Sequence, residues 1–379
     1  MVRVAELPLH GGKVPIWMLR YMERLGASVI SAFVELRGPD ALLSALSDPA
    51  WLQAYAAVIG MDWDSSGATV VALWTLKKAS LERPELGFLV LGGKGRAMLE
   101  IPEEAGLAET RLGLDAELLR RRSKLAARLD GVFLQDGYEL YVHSLIVSES
   151  GKTVAVQQGM SPEEGLARRY HIDKFEVEEP HSGVAGAPKS EVLDATASES
   201  SEARRTYLDV IAEGPRRFSR LLAEATASLR GQATLIRAPR STSSDVAPIG
   251  ERIPEVYRPT KPSKRLEEAV KRLAEVRPRT DLELALAPGL GPALLRALAL
   301  ISHLIYRVPT STRDPVTHLL SPYVYGYAVG GKDGVPYRFR PKLAEAVAAT
   351  LEDAVDRAKL GDAEKLKALA RLRRLVERL

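Results

Sequence analysis

Residues 132–181 concentrate the side chains that could hold a metal ion and a phosphate group. Carboxylates and imidazoles bind divalent cations and guanidinium groups bind phosphate oxygens, so together they could support metal-assisted hydrolysis of a phosphodiester. No spacing among them is diagnostic, and each histidine taken alone is more often structural than a ligand. The set comprises Asp136, His143, Gln157, Gln158, Arg168, Arg169, His171, Glu178, Glu179 and His181.

A second acidic motif, Asp62-Trp63-Asp64-Ser65-Ser66-Gly67, precedes a predicted helix. Two carboxylates at a spacing of two residues could reach one divalent cation. Helix capping alone would explain Asp64 and the serines, whereas Asp62 has no such local explanation. Asp62, Asp136, Glu178, Glu179 and His181 are therefore the predicted ligands of Mg²⁺ or Mn²⁺, with two or three carboxylates holding the ion that activates water.

The remaining polar residues receive roles around that ion. Arg168 or Arg169 would stabilise the charge that develops on the phosphorus, and His171 or His143 would transfer a proton. Gln158 joins this catalytic set because two adjacent glutamines stand out in a chain with only five Gln and no Asn.

The sequence from residue 284 to residue 298 resembles the helix-hairpin-helix pattern of nucleic-acid-binding proteins. Two apolar segments flank Pro288-Gly289-Leu290-Gly291-Pro292, and Arg296 follows on the second predicted helix. Glycines at Gly289 and Gly291 would expose backbone N–H groups beside a helix N-terminus, which favours binding of a phosphate without reference to base sequence. The alternative is an ordinary connection between two packed helices.

The tripeptide Gly-Gly-Lys occurs three times, ending at Lys13, Lys94 and Lys332. Glycine pairs let backbone amides converge and the lysine adds a positive charge, so each copy is a candidate phosphate-binding loop. Each could equally be a tight turn. By contrast, Ser150-Gly151-Lys152-Thr153 lacks the upstream glycine of a P-loop, and the chain has no GxSxG, HExxH or dinucleotide-binding motif.

Composition restricts the chemistry further. The chain has 379 residues and no cysteine, which excludes disulfides, thiolate metal sites and cysteine nucleophiles. The scarcity of Asn, Gln and Cys is typical of proteins from hyperthermophiles. Because no apolar run is long enough to span a bilayer and residues 1–10 lack a signal-peptide pattern, we expect a cytoplasmic protein with no membrane partner.

Charge is distributed unevenly along the chain. Residues 261–379 carry 22 Lys and Arg against 14 Asp and Glu, while the first 260 residues carry 31 against 35. A basic C-terminal third favours an anionic partner, of which nucleic acid is the commonest, DNA more than RNA. A solvated helical surface is the alternative.

The pattern of elements predicts an α+β fold: a mixed N-terminal region with a β-hairpin, then a mainly helical C-terminal domain. Helices are expected at 15–25, ending at Gly26, at 49–60, after Ser66, and at 115–129. Strands at 133–147 and 153–158 form the hairpin, and a capping box at Ser161 starts a short helix that displays Arg168, Arg169 and His171. Further helices follow at 198–212, 215–229, 264–276, 280–286, 292–307 and 341–379, and the predicted domains are 1–185, 186–263 and 264–379.

Several motifs, in this order, resemble a family of archaeal and bacterial proteins known as domain of unknown function 763. The resemblance covers nearly the whole chain and carries no assigned activity. The matching motifs are Leu7-Pro8-Leu9-His10-Gly11-Gly12-Lys13, Ser47-Asp48-Pro49, Asp62-Trp63-Asp64-Ser65-Ser66-Gly67, Gly92-Gly93-Lys94-Gly95, Val156-Gln157-Gln158-Gly159-Met160, Arg168-Arg169-Tyr170-His171, Arg313-Asp314-Pro315 and Gly330-Gly331-Lys332-Asp333-Gly334.

The residues together favour a metal-dependent nuclease that acts on structured or damaged DNA, in repair or recombination. One alternative is a non-catalytic scaffold that binds DNA or RNA, and another is an RNA-processing enzyme. Convergence of Asp62, Asp136, His171 and Glu178 in one cleft would support catalysis.

Overall fold

An antiparallel β-sheet forms the centre of the molecule. The computed structural model describes residues 7–9, 14–61, 65–229, 262–317 and 339–358. Strands run β1-β6-β5-β4-β2, with β7 also paired to β6, and β3 pairs separately with β8. The strands are β1 Leu7–Pro8, β2 Phe88–Lys94, β3 Leu134–Gln135, β4 Glu139–Ser148, β5 Thr153–Ser161, β6 Leu166–Ile172, β7 His181–Ala185 and β8 Leu193–Asp194.

Helices cover both faces of this sheet. Side chains alternate between the two faces of a strand, so Val90, Ile146 and Val156 pack against the first four helices. Leu89 and Leu145 pack against helices that follow β2. The first layer contains α1 Ile16–Arg37, α2 Pro39–Leu46, α3 Pro49–Val58 and α4 Ser66–Glu82; the second contains α5 Ile101–Leu112, α6 Ala116–Arg128, α7 Ser201–Ala212, α8 Pro215–Leu229, α9 Lys264–Val276, α10 Asp281–Leu286 and α11 Pro292–Tyr306. The predicted α+β class is confirmed.

Local capping signals determine several helix starts. The side chain of Asp48 accepts a hydrogen bond from the backbone N–H of Ala50, and Pro49 is the first residue of α3. Asp115 caps α6 in the same way, and Thr280 caps α10. These bonds satisfy N–H groups that have no partner inside the helix, and the predicted starts of these helices are confirmed.

The predicted end of the first helix at Gly26 is wrong, because α1 continues through this glycine to Arg37. A Cβ atom at position 26 would lie 2.6 Å from the hydroxyl of Tyr55 and 3.2 Å from Cβ of Thr75. Gly26 is therefore needed for the close packing of α1 against α3 and α4, not for ending the helix.

The predicted short helix after Ser161 is also wrong. Residues 162–165 form a turn, with Gly165 at φ 67°, and Leu166–Ile172 forms β6. Arg168, Arg169 and His171 therefore lie on a central strand. Because consecutive residues of a strand point to opposite sides of the sheet, the side chain of Arg168 lies on one face, and those of Arg169 and His171 lie on the other.

The C-terminal helices pack on both layers. Helices α9, α10 and α11 contribute to the same core as α5 to α8, whereas α12, Pro341–Ala358, packs against α1 through Ala344, Ala348 and Leu25. The proposed division into three domains stays a prediction. Within the described residues, no helix combines the length and apolar character that a membrane crossing requires.

Candidate functional site

The polar residues predicted to form one site lie on two opposite faces of the sheet. In β6, Arg168 and Tyr170 bond to Asp136. Arg169 and His171 alternate with them and contact the first helical layer, where His171 meets Leu46. Asp136 and His171 therefore do not share a cleft, because the pleat of a strand directs neighbouring side chains apart.

On the face toward α6, a buried ion-pair network surrounds Arg168, whose side chain is fully buried. Its guanidinium binds Asp314 through two hydrogen bonds, of 3.0 Å to Oδ1 and 2.8 Å to Oδ2. It also donates to Oδ2 of Asp136 at 3.0 Å. Tyr170 donates to the same Asp136 oxygen at 2.7 Å. The buried guanidinium is thus paired with two carboxylates, and Tyr170 supplies a further hydrogen bond to one of them, so each buried charge has partners.

The same face of the sheet also carries a buried pair of a histidine and an aspartate, His181 and Asp130. Nε2 of His181 lies 2.6 Å from Oδ1 of Asp130, a buried carboxylate that also accepts a hydrogen bond from Gln157. Burial disfavours the charged imidazole, but the charge and hydrogen bond of Asp130 outweigh it and raise the pKa of His181 above its usual range. Burial raises the pKa of Asp130 as well, so the pair favours retention of a proton.

His143 is the third polar group on this face. Its Nε2 lies 2.8 Å from the hydroxyl of Ser123 on α6, and burial lowers the pKa of the ring to about 4. A histidine with that pKa is neutral at pH 7 and is a poor proton donor there.

On the opposite face, Gln158 and Arg169 tie the sheet to the first helical layer. Gln158 accepts a hydrogen bond from Thr69 and donates to the carbonyl of Ser66 at 2.9 Å. Arg169 donates to Thr69 at 2.8 Å and to Oε1 of Gln53 at 3.0 Å. Nδ1 of His171 lies 2.6 Å from the carbonyl of Leu46. All of these side chains are buried, and their contacts join β5 and β6 to α2, α3 and α4.

The two predicted glutamate ligands bind other groups. Oε2 of Glu178 accepts a hydrogen bond from Arg204 at 2.5 Å, and Oε1 of Glu179 accepts one from the backbone N–H of Ser198 at 3.0 Å. Among the described residues no three His, Asp or Glu side chains are arranged to hold a metal ion. Asp62, Lys13 and Lys332 lie outside the described residues, so their predicted roles stay predictions.

The Gly-Gly-Lys tripeptide that ends at Lys94 forms the end of β2 instead of a loop, and the carboxylate of Glu104 on α5 already binds its first amide. The backbone N–H of Gly92 donates to Oε2 of Glu104 at 2.5 Å, and Nζ of Lys77 donates to Oε1 of the same carboxylate at 2.5 Å. Lys94 is exposed, with its Nζ 5.8 Å from the centre of the Tyr141 ring. A phosphate could bind the amide of Gly92 only by displacing the carboxylate of Glu104, which already accepts its hydrogen bond.

The turn between α10 and α11, residues 287–291, is held by cations that bind its carbonyl groups and the carbonyl of the residue before it. Nζ of Lys124 donates to the carbonyl of Leu286 at 2.8 Å. Arg128 donates to the carbonyls of Ala287, at 3.0 Å, and of Leu290. These contacts fix the turn against α6.

A second set of contacts holds the start of α11. Gln135 donates to the carbonyl of Pro292 at 3.1 Å and accepts a hydrogen bond from Arg296 at 2.8 Å. The side chain of Arg296 is therefore engaged with Gln135, in the support of the turn.

The anchoring also determines where the turn directs its amides. In a planar trans peptide the N–H group points opposite to the C=O group. Because the carbonyl of Leu290 points at Arg128, the N–H of Gly291 points away from it. Gly289 is exposed and adopts φ 98°, a conformation that glycine reaches at little cost.

Two exposed arginines lie on the helices that contact this hairpin. Arg121 lies one helical turn before Lys124 on the same face of α6. Arg272 lies on α9 beside Gly289, and a Cβ atom at position 289 would be 3.8 Å from Cβ of Arg272. Within the part of the chain that the structure describes, neither arginine forms an ion pair. The sequence analysis assigned no role to Arg121, Lys124, Arg128 or Arg272. The spacing of three and four residues among the first three does predict that they share one face of a helix.

An antiparallel sheet between two helical layers defines an α+β protein, with exposed arginines on the helices α6 and α9 that contact the hairpin of α10 and α11. Residues 3–339 match the family described as Protein of unknown function (DUF763), and the chain belongs to that family. No curated protein and no solved structure is significantly similar to it.

Proposed function

We propose that the protein binds nucleic acid by its phosphate backbone, with duplex DNA as the preferred partner, and that α10, the turn 287–291 and α11 act as a helix-hairpin-helix motif. The observation that carries the proposal is the anchored turn. Arg128 binds its carbonyls at Ala287 and Leu290. The contact with Leu290 directs the N–H of Gly291 away from α6. A phosphate oxygen is the ligand that such an amide and a helix N-terminus favour.

The arginines beside the turn support the same proposal. Arg121 and Arg272 are exposed on two different helices, so they can neutralise further phosphates along the backbone of the nucleic acid that the turn would bind. Neutralisation of phosphates releases counterions and supplies most of the sequence-independent affinity for DNA. Contacts of this kind position a protein on DNA but do not read base sequence.

The geometry gives less support to catalysis. Arg168, Arg169 and His171 are buried, each with partners inside the protein, and the sheet separates Arg168 from the other two. A metal-dependent nuclease therefore remains a separate proposal. Incubating the bound DNA with Mg²⁺ or Mn²⁺ and comparing cleavage with that by the Asp62→Ala variant tests it.

The binding proposal is tested with a double variant, Arg121→Ser with Arg272→Ser. We expect its affinity for a 20-base-pair DNA duplex at 50 mM salt to fall roughly ten- to a hundredfold, because two phosphate contacts are lost. The slope of log K against log salt should become shallower by about 1.8, since each contact contributes about 0.9. Fluorescence anisotropy at several salt concentrations measures both quantities.

A matched control removes the same charge elsewhere. Arg20 and Arg37 are exposed on α1, in the layer that covers the other face of the sheet, and the variant with both replaced by Ser should keep its affinity within about threefold. Equal losses in the two double variants would mean that only net charge matters, which would contradict a defined interface. Tighter binding of single-stranded DNA or of duplex RNA would contradict the preference for duplex DNA.

A further inference from the structure

We infer that Arg128 is a positioning residue of the proposed interface: its guanidinium sets the turn 287–291 in the orientation that presents the N–H of Gly291 to a phosphate. This inference rests on the proposed function. It assigns to Arg128 a role distinct from that of Arg121 and Arg272, which would contact the nucleic acid themselves.

The geometry of the contact requires the planar fork of an arginine. Arg128 binds the carbonyls of Ala287 and Leu290 through two different nitrogens, and these residues lie on either side of Pro288 and Gly289. A lysine carries one nitrogen on a flexible stem and does not supply two donors from separate nitrogens in a fixed plane. Arg128 therefore holds both ends of the turn at once.

The surroundings keep the turn in that one position. Opposite Arg128, a Cβ atom at position 289 would be 3.4 Å from the carbonyl oxygen of Ala269 on α9, so the turn lies close to both α6 and α9. The side chain of Leu290 is buried, which anchors the turn against the core. Without the two hydrogen bonds of Arg128, the carbonyls of Ala287 and Leu290 could turn toward the approaching phosphate, whose charge they would repel.

The electrostatic state of Arg128 agrees with this role. Burial lowers the pKa of Arg128, yet an arginine stays charged at every physiological pH. Its charge is directed at carbonyl oxygens instead of solvent, and hydrogen bonds from a charged donor are about twice as strong as neutral ones.

The test is the conservative variant Arg128→Lys, which keeps the charge and loses the fork. We expect its affinity for the 20-base-pair duplex to fall about tenfold while the slope of log K against log salt stays unchanged, because the number of charges is the same. Amide hydrogen exchange of the peptide that covers residues 284–292, measured in the free protein, should become about tenfold faster.

The control is Arg122→Lys on the same helix. Arg122 also binds a carbonyl, that of Gly151 at 3.1 Å, and the hydroxyl of Thr153 at 2.6 Å, so it anchors a different loop. Its replacement by Lys should leave DNA affinity within twofold of the wild type and exchange of residues 284–292 unchanged.

The outcomes separate this inference from the proposed function. Unchanged exchange of residues 284–292 in Arg128→Lys overturns the positioning role, and weaker binding with unchanged exchange means that Arg128 contacts DNA directly. Faster exchange with unchanged affinity also overturns it, because the turn would then not matter for binding. If the wild-type protein binds no nucleic acid, the proposed function fails, and faster exchange in Arg128→Lys alone shows that the anchoring itself is correct.

Discussion

His143 should make the protein less stable in mild acid. Burial lowers its pKa to about 4, whereas an unfolded histidine titrates near 6.5. Between pH 6.5 and pH 4 this histidine is protonated in the unfolded chain but stays neutral in the folded protein. The free energy of unfolding therefore falls as the pH falls toward 4. The gap of about 2.5 pKa units corresponds to roughly 3 kcal/mol.

The measurement compares the wild type with His143→Gln in guanidinium chloride at pH 7, 6, 5 and 4. Gln keeps a polar group near Ser123, which lies 2.8 Å from Nε2 of His143, but does not titrate. The difference in the free energy of unfolding between the two proteins should shift by about 3 kcal/mol in favour of the variant between pH 7 and pH 4. Other groups titrate equally in both proteins and cancel. A difference that stays constant over this range would refute the argument, because it would mean that the folded protein can protonate this ring as easily as the unfolded chain.

Two further predictions concern the other buried charges. Asp314→Ala leaves the buried guanidinium of Arg168 without its bidentate partner, and we expect a loss of about 3 kcal/mol in the free energy of unfolding. The exposed Glu199→Ala should cost less than about 1 kcal/mol; similar denaturation midpoints for the two variants would contradict the distinction. His181, whose pKa is raised beside Asp130, contributes stability that is complete below about pH 6.5 and is lost as the pH rises through its folded pKa. Unfolding curves from pH 6 to pH 9 should show this decline in the wild type and not in His181→Gln.

Features that depend on neighbours in the chain were predictable from the sequence. Asp48 caps α3 through an N–H only two residues away, and Thr280 caps α10 through one three residues away. By the same reasoning the first helix was predicted to end at Gly26, and that prediction is wrong because the helix continues through this residue. The hydroxyl of Tyr55 and the side chain of Thr75 need the space beside Gly26, and no local pattern reveals that distant contact.

The two faces of β6 show why the sequence did not reveal that Arg168 lies apart from Arg169 and His171. The sequence Leu166–Ile172 contains two arginines and a histidine, so the hydrophobic alternation that marks a half-buried strand is missing, and the preceding Ser161-Pro162-Glu163-Glu164 resembled a helix start. Arg168 can be buried in this strand because Asp314, far along the chain, supplies its bidentate partner. Once the segment is known to be a strand, its period of two separates Arg168 from Arg169 without further information.

Helix α6 connects the buried clusters with the proposed interface. On its inner side, Ser123 contacts His143, and the carbonyl of Ala126 accepts a hydrogen bond from Gln157 at 3.0 Å. On its outer side, Lys124 and Arg128 bind the turn between α10 and α11. Two of the polar residues that suggested an active site therefore position the helix that holds the turn. Because a buried polar group that loses its partner is costly, they fix α6 in one place, and the proposed phosphate site depends on them although they lie beneath it.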